Sequence, residues 1–338
     1  MVFTRAQSLQ EFVRRLRESK AITSQQEVIR FHEGYHLDAA YFFRLPNEYW
    51  DIEQDGEIFI TISEKMTKRK LNIPKQYLKA SLDVPDKQRK ISAEMKNYIL
   101  SISESEPEVR IPQDVQKYIE WGQTFKKSDD SKTVSDLYKI LDYTKSGRRW
   151  YTYGSYILGE NVPIGGHLAL VEKFRTKKRE CITLYSNDVL TGSNSYFFGI
   201  VQHAQGLSRE NAKSFDRPLE AEQILAAWFS STLFLALYLY YRREISGDYG
   251  RIKIGDMASF PCINPSLVSK GDRDDILAAF DNLKQEELPT LYDQLKEKKL
   301  RELDEAILRA IGIEDLGILF DLYAELLQEL DRSETNEL

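Results

Sequence analysis

The sequence predicts an α+β protein, and three observations carry that prediction. Short runs of β-forming residues, broken by Gly, Asn and Ser, crowd the section from Trp150 to Val201. From Pro218 onward the chain reads mostly as amphipathic helix. Between these signals, the stretch from Ile224 to Tyr241 is apolar on every face over 18 residues. A helix with no polar side belongs inside a core, with other elements packed around it. Its length borders on the roughly 20 residues that cross a bilayer. Three features favour a buried helix: the hydroxyls at Ser230, Ser231 and Thr232, the acidic lead-in Glu220 and Glu222, and the lack of a second such run.

Taken in order, Gln7 to Lys20 carries Leu9, Phe12, Val13 and Leu16 at helical spacing. Val28–Phe31 and Ala39–Phe43 read as strands, and Glu57–Ile62 as a third that the basic run Lys65–Lys70 ends. Pro74 opens a short helix in PKQYLKASL, because proline suits a first turn. Tyr98–Ile102 reads as a strand, and Pro112–Gln123 as a helix turning Val115, Ile119 and Trp121 inward. Residues 124–136 are polar and read as a surface loop. YTYGSYI, HLALVEKF, ECITLYS and SYFFGIV are the expected strands of the β-rich section. Asp272–Leu300, Arg301–Ile311 and Ile313–Leu330 are amphipathic, and no solenoid-like repeat is present.

The 338 residues suffice for two or three domains. Two cysteines, Cys181 and Cys262, are too few for a disulfide framework, and the charged N-terminus has no signal-peptide core. The expectation is a soluble cytoplasmic protein that enters no membrane. A net charge of −6 by itself argues against nucleic acid, but the charge is unevenly spread. Residues 65–96 hold ten Lys and Arg against three acids, a local +7. Residues 145–179 hold eight against two, or +6, and residues 273–338 eight against 18, or −10. A basic binding face on an acidic scaffold fits this asymmetry, although each run could equally be a solvated face.

Several familiar chemistries are poorly supported. His32 and His36 stand four apart without an HExxH frame, so a metal pair is disfavoured. Gly154–Gly159 has phosphate-loop glycine spacing, but Glu160 and Asn161 follow where Lys and a hydroxyl are needed. Pro85-Asp86 followed by Glu94-Met95-Lys96 outlines a PD…ExK nuclease site, in which Asp86 and Glu94 would hold Mg²⁺ and Lys96 assist the water. Basic and aromatic residues together are the stronger signal. Lys75, Tyr77 and Lys79 lie in the +7 stretch, Arg148, Arg149, Trp150 and Tyr151 precede the β-rich section, and Tyr249, Arg251 and Lys253 follow the apolar run. Cations neutralise phosphates, Arg also reads guanine edges, and aromatic rings pack on sugars and bases.

In order, the segments IPKQYLKASL (Ile73–Leu82), VQKYIEWGQ (Val115–Gln123), SGRRWY (Ser146–Tyr151), LAAWFSSTLFLALY (Leu225–Tyr238), YGRIKIGDMASFPCINP (Tyr249–Pro265) and RELDEAILRAIGI (Arg301–Ile313) resemble the C-terminal, target-recognition half of adenine-N6 DNA methyltransferases of restriction–modification systems. Departures from that family's pattern include Gln123 in place of Glu and Ser230 in place of Asn. VIRFHEGYHLDAAYFFRL (Val28–Leu45) resembles the strand pair after that family's catalytic motif. The chain lacks the family's Asn-Pro-Pro-Tyr motif, its nearest approach being Asn194-Ser195-Tyr196, and it lacks the Phe-x-Gly-x-Gly loop for S-adenosylmethionine. Methyl transfer needs both, one to hold the extruded adenine and the other the cofactor.

The resemblance therefore implies a specificity polypeptide for a split adenine-N6 methyltransferase. Residues 1–66 would be a remnant completing or docking on an α/β methyltransferase core, 67–217 a mixed, β-rich DNA-recognition domain, and 218–338 a C-terminal helical bundle. The expected partners are double-stranded DNA and a separate catalytic subunit that binds S-adenosylmethionine. No catalytic, cofactor or metal residue is assigned to this chain. The expected DNA-binding residues are Lys75, Lys79, Arg148, Arg149, Trp150, Tyr151, Tyr249, Arg251 and Lys253, with the Mg²⁺-dependent nuclease and a non-catalytic interaction protein as alternatives.

Overall fold

A computed structural model describes residues 7–82, 84–126, 132–159, 165–202, 219–241, 249–251 and 253–335, apart from the side chains of residues 86, 138, 249 and 332–335. The class is α+β, as expected: small antiparallel sheets share the chain with helices. Buried side chains gather in two clusters. One draws on residues 35 to 78 and 98 to 153; the other on residues 9 to 31, 82 to 93, 168 to 198 and everything described beyond 224.

The larger core is built on a four-stranded antiparallel sheet, in the order Thr183–Thr191, Gly165–Val171, Tyr196–Val201, Ile29–Glu33. The expected strand around Val28–Phe31 pairs with Tyr196–Val201, Phe31 opposite Gly199. Ile22–Ser24 likewise pairs with Pro261–Ile263. The Gln7–Glu18 helix buries the expected Leu9, Phe12, Val13 and Leu16, each worth about 1.5–3 kcal/mol when taken out of water. Around the sheet lie the helices Glu220–Ser230, Thr232–Tyr241, Lys270–Lys284, Leu291–Glu297, Arg301–Ala310 and Gly317–Thr335. Thr183 on the sheet donates to the Phe229 carbonyl at 2.7 Å, and the Phe31 and Phe229 rings meet edge to face at 5.5 Å.

The Ile224–Tyr241 run is buried as expected, but as two helices bent by 63°. The break falls at Ser231, whose backbone is extended. Its hydroxyl donates to the Trp228 carbonyl at 2.6 Å and accepts the Phe234 N–H at 3.1 Å, closing one helix and capping the next. The clustered hydroxyls thus mark a break rather than a tolerated polar patch. No single helix among the described residues is long and apolar enough to cross a membrane.

The smaller core holds two three-stranded antiparallel sheets, Arg44–Leu45 with Asn97–Leu100 and Leu78–Ser81, and Trp50–Asp55 with Phe59–Glu64 and Lys70–Pro74. Phe42, Tyr118 and Trp121 stack at its centre and Trp50 meets Tyr118 and Trp121 edge to face, with Trp121 on the expected helix, Gln113–Thr124. A Cβ at Gly122 would stand 2.3 Å from the Phe42 ring, so this helix packs closely only with glycine there.

Three local expectations are corrected. Ala40–Phe43 is one helical turn instead of a strand. Here Phe42 and Phe43 both turn into the core, which strand alternation would forbid. YTYGSYI is also helical, a 3₁₀ turn Trp150–Thr152 running into Tyr153–Leu158. There Gly154 lets the backbone lie against Leu100, whose carbonyl oxygen a Cβ would approach to 2.0 Å. The Pro74 helix shrinks to the turn Lys75–Tyr77, because both flanks are taken up as strands.

Candidate nucleic-acid interface

Ion pairs and hydrogen bonds sort the expected DNA-binding residues into two groups. The +7 stretch lies beside the acidic strand Trp50–Asp55, and much of its charge is spent there. Lys65 meets Asp51 at 3.1 Å, Lys70 meets Glu53 at 2.5 Å, and Lys75 meets Asp55 at 2.6 Å. Arg69 lies 3.5 Å from Glu64 on the neighbouring strand. Exposed pairs of this kind add only about 0–1 kcal/mol of stability, yet each occupies a cation that a phosphate would need. Asp55 holds the Lys75 ammonium above its ordinary pKa, and Lys75 with the Tyr98 hydroxyl holds the Asp55 carboxyl below its own. Lys75 therefore shares its charge with Asp55. Lys79, on the strand Leu78–Ser81, is exposed and has no carboxylate within 4 Å among the described residues.

The two adjacent arginines separate in the same way. Arg149 folds back on the segment that follows the Asn97–Leu100 strand. It donates to the carbonyls of Glu106 at 2.8 Å, Ser103 at 3.3 Å and Glu104, and to the Tyr151 hydroxyl at 3.2 Å. The Glu104 carboxylate lies 3.4 Å from its Nε. Tyr151 is buried and donates to Glu108 at 2.9 Å. Trp150 packs on Phe42 with ring centroids 5.0 Å apart. Three residues of this cluster thus build the core wall and knit the 103–108 segment to it. Arg148 differs: exposed and without an ion pair among the described residues, it lies 5.2 Å from the Tyr143 ring centroid and 5.1 Å from that of Tyr156.

The third cluster is divided too. Strand Tyr249–Arg251 pairs with Lys173–Arg175, placing Arg251 opposite Lys173. Arg251 forms a 2.8 Å ion pair with Glu172, while Lys253 stays exposed, with no ion pair among the described residues. The side chain of Tyr249, with residues 247, 248 and 252, lies outside the described residues.

The nuclease outline is described only in part. The Asp86 side chain lies outside the described residues. Glu94 and Lys96 pair with each other at 2.8 Å on an open surface, and Lys96 keeps the Glu94 carboxyl below its usual range. Among the described residues no three His, Cys, Asp or Glu side chains gather as metal ligands. His32 is half-buried, with its pKa lowered by burial, and its ring leans on Phe198. His36 instead meets the Asn194 amide at 3.1 Å. His203 lies outside the described residues.

Tyr143 and Tyr156 were missed in the sequence reading. They could have been found only by recognising TYGSYI as helix, which brings Tyr156 beside Arg148. A pairing between the last two quoted helical segments was also missed. Asp304 of RELDEAILRAIGI is fully buried and accepts the Thr232 N–H of LAAWFSSTLFLALY at 2.9 Å, and its second oxygen accepts the Tyr323 hydroxyl at 2.7 Å. Both segments therefore serve the scaffold, holding the broken helix in place.

No protein-family model matches the sequence, and no curated protein matches it significantly. Among solved structures the chain is similar to the crystal structure of the type IIG restriction endonuclease BpuSI, with a TM-score of 0.57 at 10% identity. The match covers 96% of this chain and 33% of that one, so the chain spans about a third of the length of that enzyme. At this identity the likeness is one of fold.

Proposed function

We propose that this chain is a DNA target-recognition polypeptide of a restriction–modification system. It directs a separate adenine-N6 methyltransferase subunit that binds S-adenosylmethionine. The observation that carries the reading is the fold likeness: nearly the whole chain matches a third of a type IIG restriction endonuclease. The ordered resemblance of its segments to the target-recognition half of adenine-N6 methyltransferases supports recognition as its role.

In this reading Lys79, Arg148 and Lys253 meet the DNA, because none of them forms an ion pair among the described residues. Lys75, Arg149 and Arg251 instead hold the surface that presents them. Phosphate contacts set affinity and its salt dependence, while base contacts set the sequence preference. The test is a duplex titration across a salt series. Wild-type chain should bind, and Lys79→Ala with Arg148→Ala should weaken binding and flatten the salt slope by about 2, roughly 1 per lost phosphate contact. An unchanged slope with a weakened complex would remove both residues from the phosphate contacts; no duplex binding, alone or with the catalytic subunit, would refute the proposal.

A further inference from the structure

We infer that the Tyr156 ring, backed by Arg148, is a stacking seat for one unpaired nucleobase of bound DNA; the inference rests on the DNA-binding reading above. Tyr156 is 55% exposed, an unusual amount for an aromatic ring in a chain that buries Tyr118, Tyr143, Tyr151 and Tyr153. It is nevertheless held. Its ring lies 4.8 Å from Tyr143 and 6.3 Å from Tyr153, and the Arg148 guanidinium rests 5.1 Å from its centroid. Tyr143 is anchored in turn by a 2.8 Å hydrogen bond between its hydroxyl and Thr152. A ring held by such neighbours yet more than half exposed loses little conformational freedom when a second flat ring packs on it. That is what makes aromatic side chains effective base platforms.

The charge around the ring favours the same occupant. Lys139 and Lys145, on the helix Tyr138–Thr144 and at its end, are spent on Asp38 at 3.2 Å and Asp142 at 2.9 Å. Of the three, Arg148 alone has no ion pair among the described residues, and it lies against the Tyr156 ring. A planar cation on an aromatic ring suits a base that carries a phosphate on its sugar: the ring takes the base, the guanidinium the anion. One cation without a second nearby is a poor seat for an anion by itself. The base must be unpaired, because bases inside a duplex have both faces covered by their neighbours.

The test uses fluorescence anisotropy on three labelled DNAs: a fully paired duplex, the same duplex with one bulged nucleotide, and the bulged duplex with an abasic site at that nucleotide. Wild-type chain should prefer the bulged duplex to the abasic one. Tyr156→Ala should cost roughly tenfold in affinity on the bulged duplex and little on the other two, while Tyr156→Trp retains the preference. Arg148→Ala should lower the salt slope by about 1 on all three. Because Tyr156 is exposed, its thermal melting temperature should be unchanged, which separates loss of contact from loss of fold. Equal losses on all three DNAs, or none, would overturn the stacking seat while leaving the recognition proposal standing. If wild-type chain binds none of the three, the recognition proposal falls and takes the stacking seat with it.

Discussion

Replacing Asp304 by Asn should flatten the dependence of stability on pH between about 4 and 7. The carboxyl is wholly buried between three helices' worth of apolar side chains, and burial pushes its pKa up from 3.8 to about 7. Hydrogen bonds from Tyr323 and from the first turn of the Thr232–Tyr241 helix pull the other way without cancelling that effect. The folded chain therefore binds this proton more tightly than the unfolded chain does. Its contribution is fully present below pH 4 and is lost as pH rises through the folded value near 7. At about 1.4 kcal/mol per pH unit, the decline is worth about 4 kcal/mol. Asn has nearly the same shape, keeps an oxygen for the Thr232 N–H and turns its amide toward the Tyr323 oxygen, but it cannot ionise. Urea unfolding at pH 5 and pH 8, followed by the fluorescence of buried Trp228, gives the two stabilities. Wild-type chain should lose about 3 kcal/mol more than Asp304→Asn between those pH values, the part of the decline that lies above pH 5. Equal losses in both proteins would refute the assignment of a proton to this buried carboxyl.

Arg149→Ala should remove the hydrogen bonds that hold residues 103–106 and cost about 2–4 kcal/mol of stability, with no change in the salt slope of DNA binding; a flattened slope at full stability would return Arg149 to the interface. Burial pushes the Cys181 thiol up to about 12 and the Cys262 thiol higher still. Neither should react with a thiol-specific reagent at pH 8 until urea unfolds the chain, and labelling in the native state at the rate of a free thiol would contradict the packing around them.

Where one face of an element sees the core, the sequence announced it. The Gln7–Glu18 helix shows its four buried residues at i, i+3, i+4 and i+7, and the strands of the larger sheet appear as HLALV and SYFFGIV. Short aromatic runs were harder to read, since Ala40–Phe43 and Trp150–Leu158 are rich in strand-forming residues yet adopt helical turns. Tertiary packing around Gly154 and Phe42 decides those turns, and propensity cannot see it. Charge was legible only as a sum. The +7 of residues 65–96 is real, but Asp51, Glu53 and Asp55 lie outside that window and reach it only through strand pairing. For the same reason Arg148 and Arg149, neighbours in sequence, could not be told apart: one meets a wall of carbonyls and the other an open tyrosine. The helix break at Ser231 left its mark in the hydroxyl cluster, and its partner Asp304 stands 72 residues away from Thr232.

The central claim is that this chain supplies sequence specificity to a methyltransferase encoded elsewhere. Its most direct test is to express a candidate catalytic subunit with and without this chain in a methylation-free host and to map N6-methyladenine across the host DNA. The account predicts methylation confined to one short sequence when both chains are present, and loss of that pattern when this chain is omitted. Methylation of the same sites to the same extent by the catalytic subunit alone would contradict it.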